Sequence, residues 1–136
     1  MLLVGGGIAS FISFNEKQQL LGAARELQTY LRSAQTRART GTKDDSCEAL
    51  ESYQVAAGNG ANSFAVSQIC DGGSVINTQS HDLPSSVTFS DDFNLRFRVL
   101  AGATDGAQII ALQAFAYRYE FAVTLGGEIQ EGDFTE

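Results

Sequence analysis

The chain is poor in several residue types, and each shortage narrows the class of protein. Its 136 residues include no Trp, one Met, one His, one Pro and two Cys. A single proline and an ordinary glycine content exclude collagen-like and proline-rich chains. Hydrophobic residues make up 43% and charged residues 18%, a balance opposite to that of disordered segments. The length suits one domain, so the sequence predicts a single folded unit.

Positive charge is also scarce, since the net charge is −7 and the pI about 4.6. Nucleic-acid affinity depends on a basic surface that neutralises phosphates, so we expect no nucleic acid bound by the bulk surface. The charge is uneven: residues 1–43 carry six basic and two acidic side chains, whereas residues 44–136 carry three basic and fourteen acidic ones. We interpret this as a basic stalk and an acidic body, either simply solvated or attracted to neighbouring copies.

No hydrophobic run is long enough to cross a bilayer, which takes about 20 residues. The uncharged run at the start is Met1–Phe14. It has neither the positive start nor the small-residue cleavage site of a secretory signal. We therefore interpret it as the inner half of a longer hydrophobic segment. The helix is expected to loosen at Gly5–Gly7, because each glycine costs about 1 kcal/mol relative to alanine in a helix.

An amphipathic pattern follows and predicts one long helix from about Ile8 to Thr40. Apolar residues recur at steps of three and four, which marks the face that packs on the body: Leu20, Ala24, Leu27, Leu31, Ala34 and Ala38. Gly41 is a suitable helix stop. Such a helix is on the order of 50 Å long, more than the diameter of so small a body. Its N-terminal part must project or pack on another molecule.

After Gly41 the pattern changes to short β-type runs with turn signals. The predicted strands are Glu51–Ala57, Ser63–Cys70, Ser74–Thr78, Val87–Ser90, Asn94–Leu100, Gln108–Phe115, Arg118–Leu125 and Glu128–Gln130. Residues 131–136 are predicted to be a solvated acidic tail. A helix separated from a run of strands indicates an α+β fold, with the long helix (residues 1–41) packed on an antiparallel sheet body (residues 42–136).

The two cysteines, Cys47 and Cys70, lie in a polar loop and at a strand end. A disulfide between them is the favoured interpretation, with free buried thiols or metal and redox chemistry as alternatives. The bridge would close a loop of about 23 residues, worth roughly 3 kcal/mol on the chain-entropy model. It would also imply an oxidising compartment.

Evidence for catalysis is weak. His81, the single histidine, lies in a predicted loop between Ser80 and Asp82, and no nucleophile-elbow pattern is present. Aspartates beside Gly, Ser or Asn fit turns better than a calcium loop, whose spacing they do not match: Asp71, Asp91, Asp92 and Asp105. We predict no catalytic residue, no metal and no cofactor.

The order of these parts resembles the type IV pilin-like superfamily. An apolar glycine-containing segment runs into the helix AARELQTYLRSAQTRARTG, a Cys-containing loop follows, and the body closes with YRYEFAVTLGGEIQEG. The nearest group is the H-type minor pseudopilins of type II secretion. Their L-x-x-x-L-R-x-A-x-x-x-A-type helix pattern and G-x-[IV] turn are met here by Leu27, Leu31, Arg32, Ala34 and Ala38, and by Gly127, Glu128 and Ile129.

The resemblance implies a structural subunit of an extracellular or periplasmic filament. Its partners would be copies of itself, other pilin-like subunits and an inner-membrane assembly platform, with anchoring in that membrane before assembly. The filament core or membrane segment would comprise Leu2, Leu3, Val4, Gly5, Gly6, Gly7, Ile8, Phe11, Ile12 and Phe14. Members begin with a basic leader and an F-T-L-I-E-like start that are missing here, so we expect Met1 to lie about ten residues inside the mature helix. The alternatives are a tip-located minor pseudopilin, a membrane-tethered binding module and, last, an enzyme.

Overall fold

A computed structural model describes residues 2–41, 47–101, 103–104 and 106–135, without side chains for residues 2–11, 13 and 135. The predicted turn residue Asp105 lies outside this range. One helix, α1 (Leu2–Thr40), precedes the strands β1 (Leu50–Ala57), β2 (Ser63–Cys70), β3 (Val75–Asp82), β4 (Thr88–Phe89), β5 (Phe93–Arg98), β6 (Gln108–Ala114), β7 (Tyr117–Val123) and β8 (Asp133–Thr135). The described chain is therefore α+β, as predicted.

The sequence pattern predicts the C-terminal end of α1 but not its N-terminal end. The helix starts at Leu2 rather than Ile8 and stays helical through Gly5–Gly7, so the expected loosening is absent. It ends at Thr40, and the next residue, Gly41, has a φ of 69°, a left-handed conformation that glycine adopts without a Cβ penalty. The carbonyl of Ala38 accepts hydrogen bonds from the Gly41 and Leu100 amides, at 3.2 and 2.7 Å. The helix terminus is thereby fixed to the body.

The body contains two four-stranded antiparallel sheets, so the prediction of a single sheet was wrong. The first sheet has the order β3-β2-β1-β5 and the second the order β4-β6-β7-β8. From β3 to β6 consecutive strands alternate between the sheets, since β3 and β5 belong to the first sheet and β4 and β6 to the second. Alternating apolar residues reveal that one face of a strand is buried, but they do not reveal which neighbour the strand pairs with.

The core lies between α1 and the inner faces of both sheets. All six residues of the predicted packing stripe are buried, as is Ala23. They belong to one cluster with the inward side chains of the first sheet (Tyr53, Val55, Phe64, Leu95 and Phe97) and of the second (Ile110, Leu112, Tyr119, Phe121 and Val123). Complete burial of each large apolar side chain stabilises the fold by roughly 1.5–3 kcal/mol. A single helix face therefore packs against both sheets.

Three predictions in the body were wrong. His81 lies within β3 rather than in a loop, and its ring centroid is 4.1 Å from that of Tyr30. The expected solvated tail contains β8, which pairs with β7 in the register Tyr119–Phe134. The predicted strand Glu128–Gln130 forms only an isolated bridge between Ile129 and Val123. β8 is short and lacks an apolar alternation, so its sequence carries no strand signal.

Candidate assembly surface

The N-terminal part of α1 projects beyond the part of the helix that packs on the body. The described contacts between helix and body begin at Lys17, whose ammonium nitrogen is 5.0 Å from the ring centroid of Tyr117. Next, the Ser86 hydroxyl donates to Oε1 of Gln19 across 3.3 Å, and Leu20 is the first core residue. At 1.5 Å per residue, the helix before Lys17 extends about 22 Å. This segment has the length to contact other molecules.

The described apolar side chains of this projecting segment face solvent. Ile12 is 51% exposed and Phe14 is 61% exposed. Of the ten residues predicted for a filament core or membrane segment, these are the two whose side chains lie in the described range. The other eight share the same helical backbone. Among the described residues, no helix is apolar over enough of its length to cross a membrane.

The two cysteines form the predicted disulfide, which anchors the start of the body. Cys47 is bonded to Cys70 with a Cα–Cα distance of 5.6 Å, and both residues are buried. The adjacent Asp71 amide donates to the Ala49 carbonyl across 2.8 Å. The residues that lead into β1 are therefore held against the end of β2 by a covalent bond and a hydrogen bond.

Three arginines form an exposed row along α1, which we call the arginine face: Arg25, Arg32 and Arg39. They are seven residues apart, about 10 Å along the helix, so they point in nearly the same direction. Arg32 and Arg39 border a groove of about 480 Å³ between the helix and the β7–β8 connection, where Glu128 also lies. Within the described part of the chain, none of the three is in a salt bridge.

The outer side of the second sheet carries an acidic face, defined by Glu120, Glu131 and Asp133. These residues border a cleft of about 340 Å³ that also contains Ile109, which is 64% exposed. Glu120 lies directly opposite Asp133 on paired strands. Arg118 supplies positive charge here, with its guanidinium 2.7 Å from Glu120 and 2.9 Å from Asp91. Sequence analysis missed this face because it assigned Asp133 to a tail.

The residues considered for catalysis or calcium binding make contacts that stabilise the fold. The His81 ring lies 4.1 Å from the Tyr30 ring and 5.5 Å from the Phe64 ring, between centroids. An Asp92 carboxylate oxygen accepts the amide of Asn59 at 2.5 Å and so links the β4–β5 connection to the β1–β2 connection. No three His, Cys, Asp or Glu side chains gather into a metal-binding group within the described ranges. His81 therefore takes part in ring packing, and Asp92 joins two connections of the body.

Comparison with protein-family models, curated proteins and solved structures finds no match to this chain. What bears on function is therefore the α+β fold and the surfaces it exposes. Two of these are unusual for a small body, namely an apolar helix that projects from it and an arginine face without salt bridges in the described structure. Contacts between molecules could bury the apolar helix and supply carboxylate partners to the arginines.

Proposed function

We propose that the protein is a structural subunit of a type IV pilus-like helical filament, assembled through its N-terminal hydrophobic helix. The observation that carries the proposal is the exposure of Ile12 and Phe14 on a helix that runs ahead of the core. Exposed apolar side chains that are contiguous along one element mark contact sites. The preceding residues Met1–Phe11 continue the same uncharged run.

Burial of this segment in a bundle of like helices is strongly favourable. Its large apolar residues are Leu2, Leu3, Val4, Ile8, Phe11, Ile12 and Phe14. At roughly 1.5–3 kcal/mol each when buried, they supply on the order of 10–20 kcal/mol, from which the ordering cost of association is subtracted. A central bundle would leave the acidic bodies outside, in contact with solvent.

The cellular setting follows from the same proposal. The disulfide fits an extracellular or periplasmic location, because such bonds persist in oxidising compartments. Before assembly, the apolar segment would sit in the inner membrane beside an assembly platform and other pilin-like subunits. After assembly, it would be buried against copies of the same segment.

Electron microscopy of the 136-residue chain and two charge variants tests the proposal. Ile12→Lys and Phe14→Asp each place a charge in the proposed core, where an unpaired charge is very costly. Leu125→Asp is the matched control, because Leu125 is 60% exposed but lies on the body. We expect filaments from the wild-type chain and the control, and none from the two core variants.

The alternative assignments give different outcomes in the same experiment. Filaments that persist in Ile12→Lys and Phe14→Asp would contradict the proposal. Small hetero-complexes with pilin-like subunits, without long polymers, would indicate a tip-located pseudopilin. A wild-type chain that stays monomeric at high concentration would indicate a membrane-tethered binding module.

A further inference from the structure

No carboxylate among the described residues forms a salt bridge with the arginine face. Arg25, Arg32 and Arg39 are exposed, and within the described structure none of them is salt-bridged. Glu128 borders the same groove as Arg32 and Arg39 but forms no ion pair with either. Three aligned guanidinium groups therefore present a positive row about 20 Å long. Guanidinium groups bind carboxylates well, because their planar donors match both oxygens.

The acidic face has an excess of negative charge, which complements the arginine face. Glu120 and Asp133 face each other across β7 and β8, and directly opposed like charges destabilise a strand pair. Arg118 contacts Glu120 and Asp91, so Asp133 and Glu131 have no salt-bridge partner among the described residues. Exposed Ile109 adds an apolar surface at the same cleft. The acidic face can therefore bind a surface that presents both arginine guanidinium groups and alkyl chains.

The two faces of one molecule cannot meet. Tyr119, Phe121 and Val123 of β7 point inward to the core shared with α1. Side chains alternate along a strand, so Glu120 points to the opposite, outer side of the sheet. The arginine face lies on the helix, on the inner side. Contact between these faces therefore requires two molecules, and it joins unlike surfaces.

We propose that the arginine face of one copy docks on the acidic face of the next copy. The proposal rests on the filament assignment and deepens it by naming the contact between bodies. Contacts between unlike surfaces generate open helical polymers when the rotation does not close a ring. Charge complementarity sets partner orientation and makes association dependent on salt.

Charge reversal in the 136-residue chain tests this contact, with the protein concentration needed for assembly as the readout. In low salt, Arg32→Glu should raise that concentration about tenfold or more, since it replaces an attraction with a repulsion. Asp133→Lys should do the same, and the double variant should recover to within about threefold of wild type. Arg32→Gln should have a smaller effect in the same direction, with no added repulsion. Arg37→Glu is the control, because Arg37 is exposed about 140° around the helix from Arg32.

The outcomes separate this contact from the filament proposal. Filaments that form equally well in Arg32→Glu would overturn the contact and leave the filament intact. The wild-type chain could instead form salt-sensitive oligomers that never elongate. If Arg32→Glu and Asp133→Lys each weaken these oligomers and the double variant restores them, the contact is supported and the filament is contradicted. A wild-type chain that stays monomeric in low salt would overturn both. If the double variant needs as high a concentration for assembly as the single variants, the two faces do not contact each other. If a DNA duplex binds through Arg32 and prevents self-association, the partner of the arginine face is not a second copy.

Discussion

The side-chain amide of Gln35 donates a hydrogen bond to the backbone carbonyl of Gly127 across 2.8 Å, in a buried setting. This bond joins the C-terminal half of α1 to the connection between β7 and β8. It lies beside the groove bordered by Arg32 and Arg39. The position of the arginine face relative to the second sheet therefore depends on a buried polar contact as well as on apolar packing.

Loss of this contact should lower stability measurably. Gln35→Ala leaves the Gly127 carbonyl without its buried donor, which costs about 1–3 kcal/mol. Urea unfolding followed by circular dichroism measures the change. Gln18→Ala is the control, because Gln18 is exposed on the same helix and should change the stability by less than about 0.5 kcal/mol. Equal stability of Gln35→Ala and wild type would contradict this role.

Gly132 should tolerate no side chain. A Cβ at this position would overlap the Glu120 carbonyl oxygen and come within 2.7 Å of its carbon. The Gly132 amide also donates to the Tyr119 hydroxyl at 3.0 Å. We expect Gly132→Ala to destabilise the fold by about 1–3 kcal/mol and to detach β8, with faster hydrogen exchange at Asp133–Thr135. At Gly126 a Cβ would meet only the Thr124 hydroxyl, at 3.9 Å, so Gly126→Ala should keep β8 protected.

Stability should fall at high pH because of Tyr53. Burial raises the pKa of this phenol above its ordinary value of 10.0, and the nearby Arg37 offsets part of the rise. Between pH 10 and the raised pKa, the phenol ionises in the unfolded state but stays neutral in the folded state. The stabilisation is therefore complete below pH 10 and is lost as the pH rises through the folded-state pKa. Urea midpoints from about pH 8 to pH 11 should decline less in Tyr53→Phe, and parallel curves would contradict this.

The disulfide should contribute to the stability of the body. Cys47→Ser combined with Cys70→Ser removes a cross-link between residues 23 apart, which the chain-entropy model values at roughly 3 kcal/mol. Non-reducing peptide mapping should show the linked pair, and unfolding of the wild-type chain with reductant should approach that of the double variant. Two freely alkylated thiols in the native protein would contradict the bond.

The helix and most strands could be predicted because their periodicities are strong. Leu20, Leu27 and Leu31 recur at the spacing of one helix face, and all three are buried. Leu95 and Phe97 alternate with arginines on β5 and are also buried. In these elements the contrast between one apolar side and one polar side reports burial directly.

The second sheet, β8 and the acidic face could not be predicted, because they depend on contacts distant in sequence. β8 is placed by pairing with Tyr119 and Glu120 and by the close approach at Gly132. β3 is an edge strand with mostly exposed side chains, so the prediction stopped at Thr78 and missed its polar second half, which contains His81. The juxtaposition of Glu120 and Asp133 appears only when the register of β7 and β8 is known.

Thiol accessibility at position 12 tests the filament proposal most directly. Ile12→Cys introduces a single free thiol, since the described structure pairs Cys47 with Cys70. Ile12 is 51% exposed on the isolated chain and should be buried between helices in a polymer. We expect a bulky water-soluble thiol reagent to label this cysteine in detergent-dispersed protein but not in assembled protein, whereas Leu125→Cys should be labelled in both. Equal labelling of Ile12→Cys in the two states would contradict burial of the N-terminal helix at the centre of a filament.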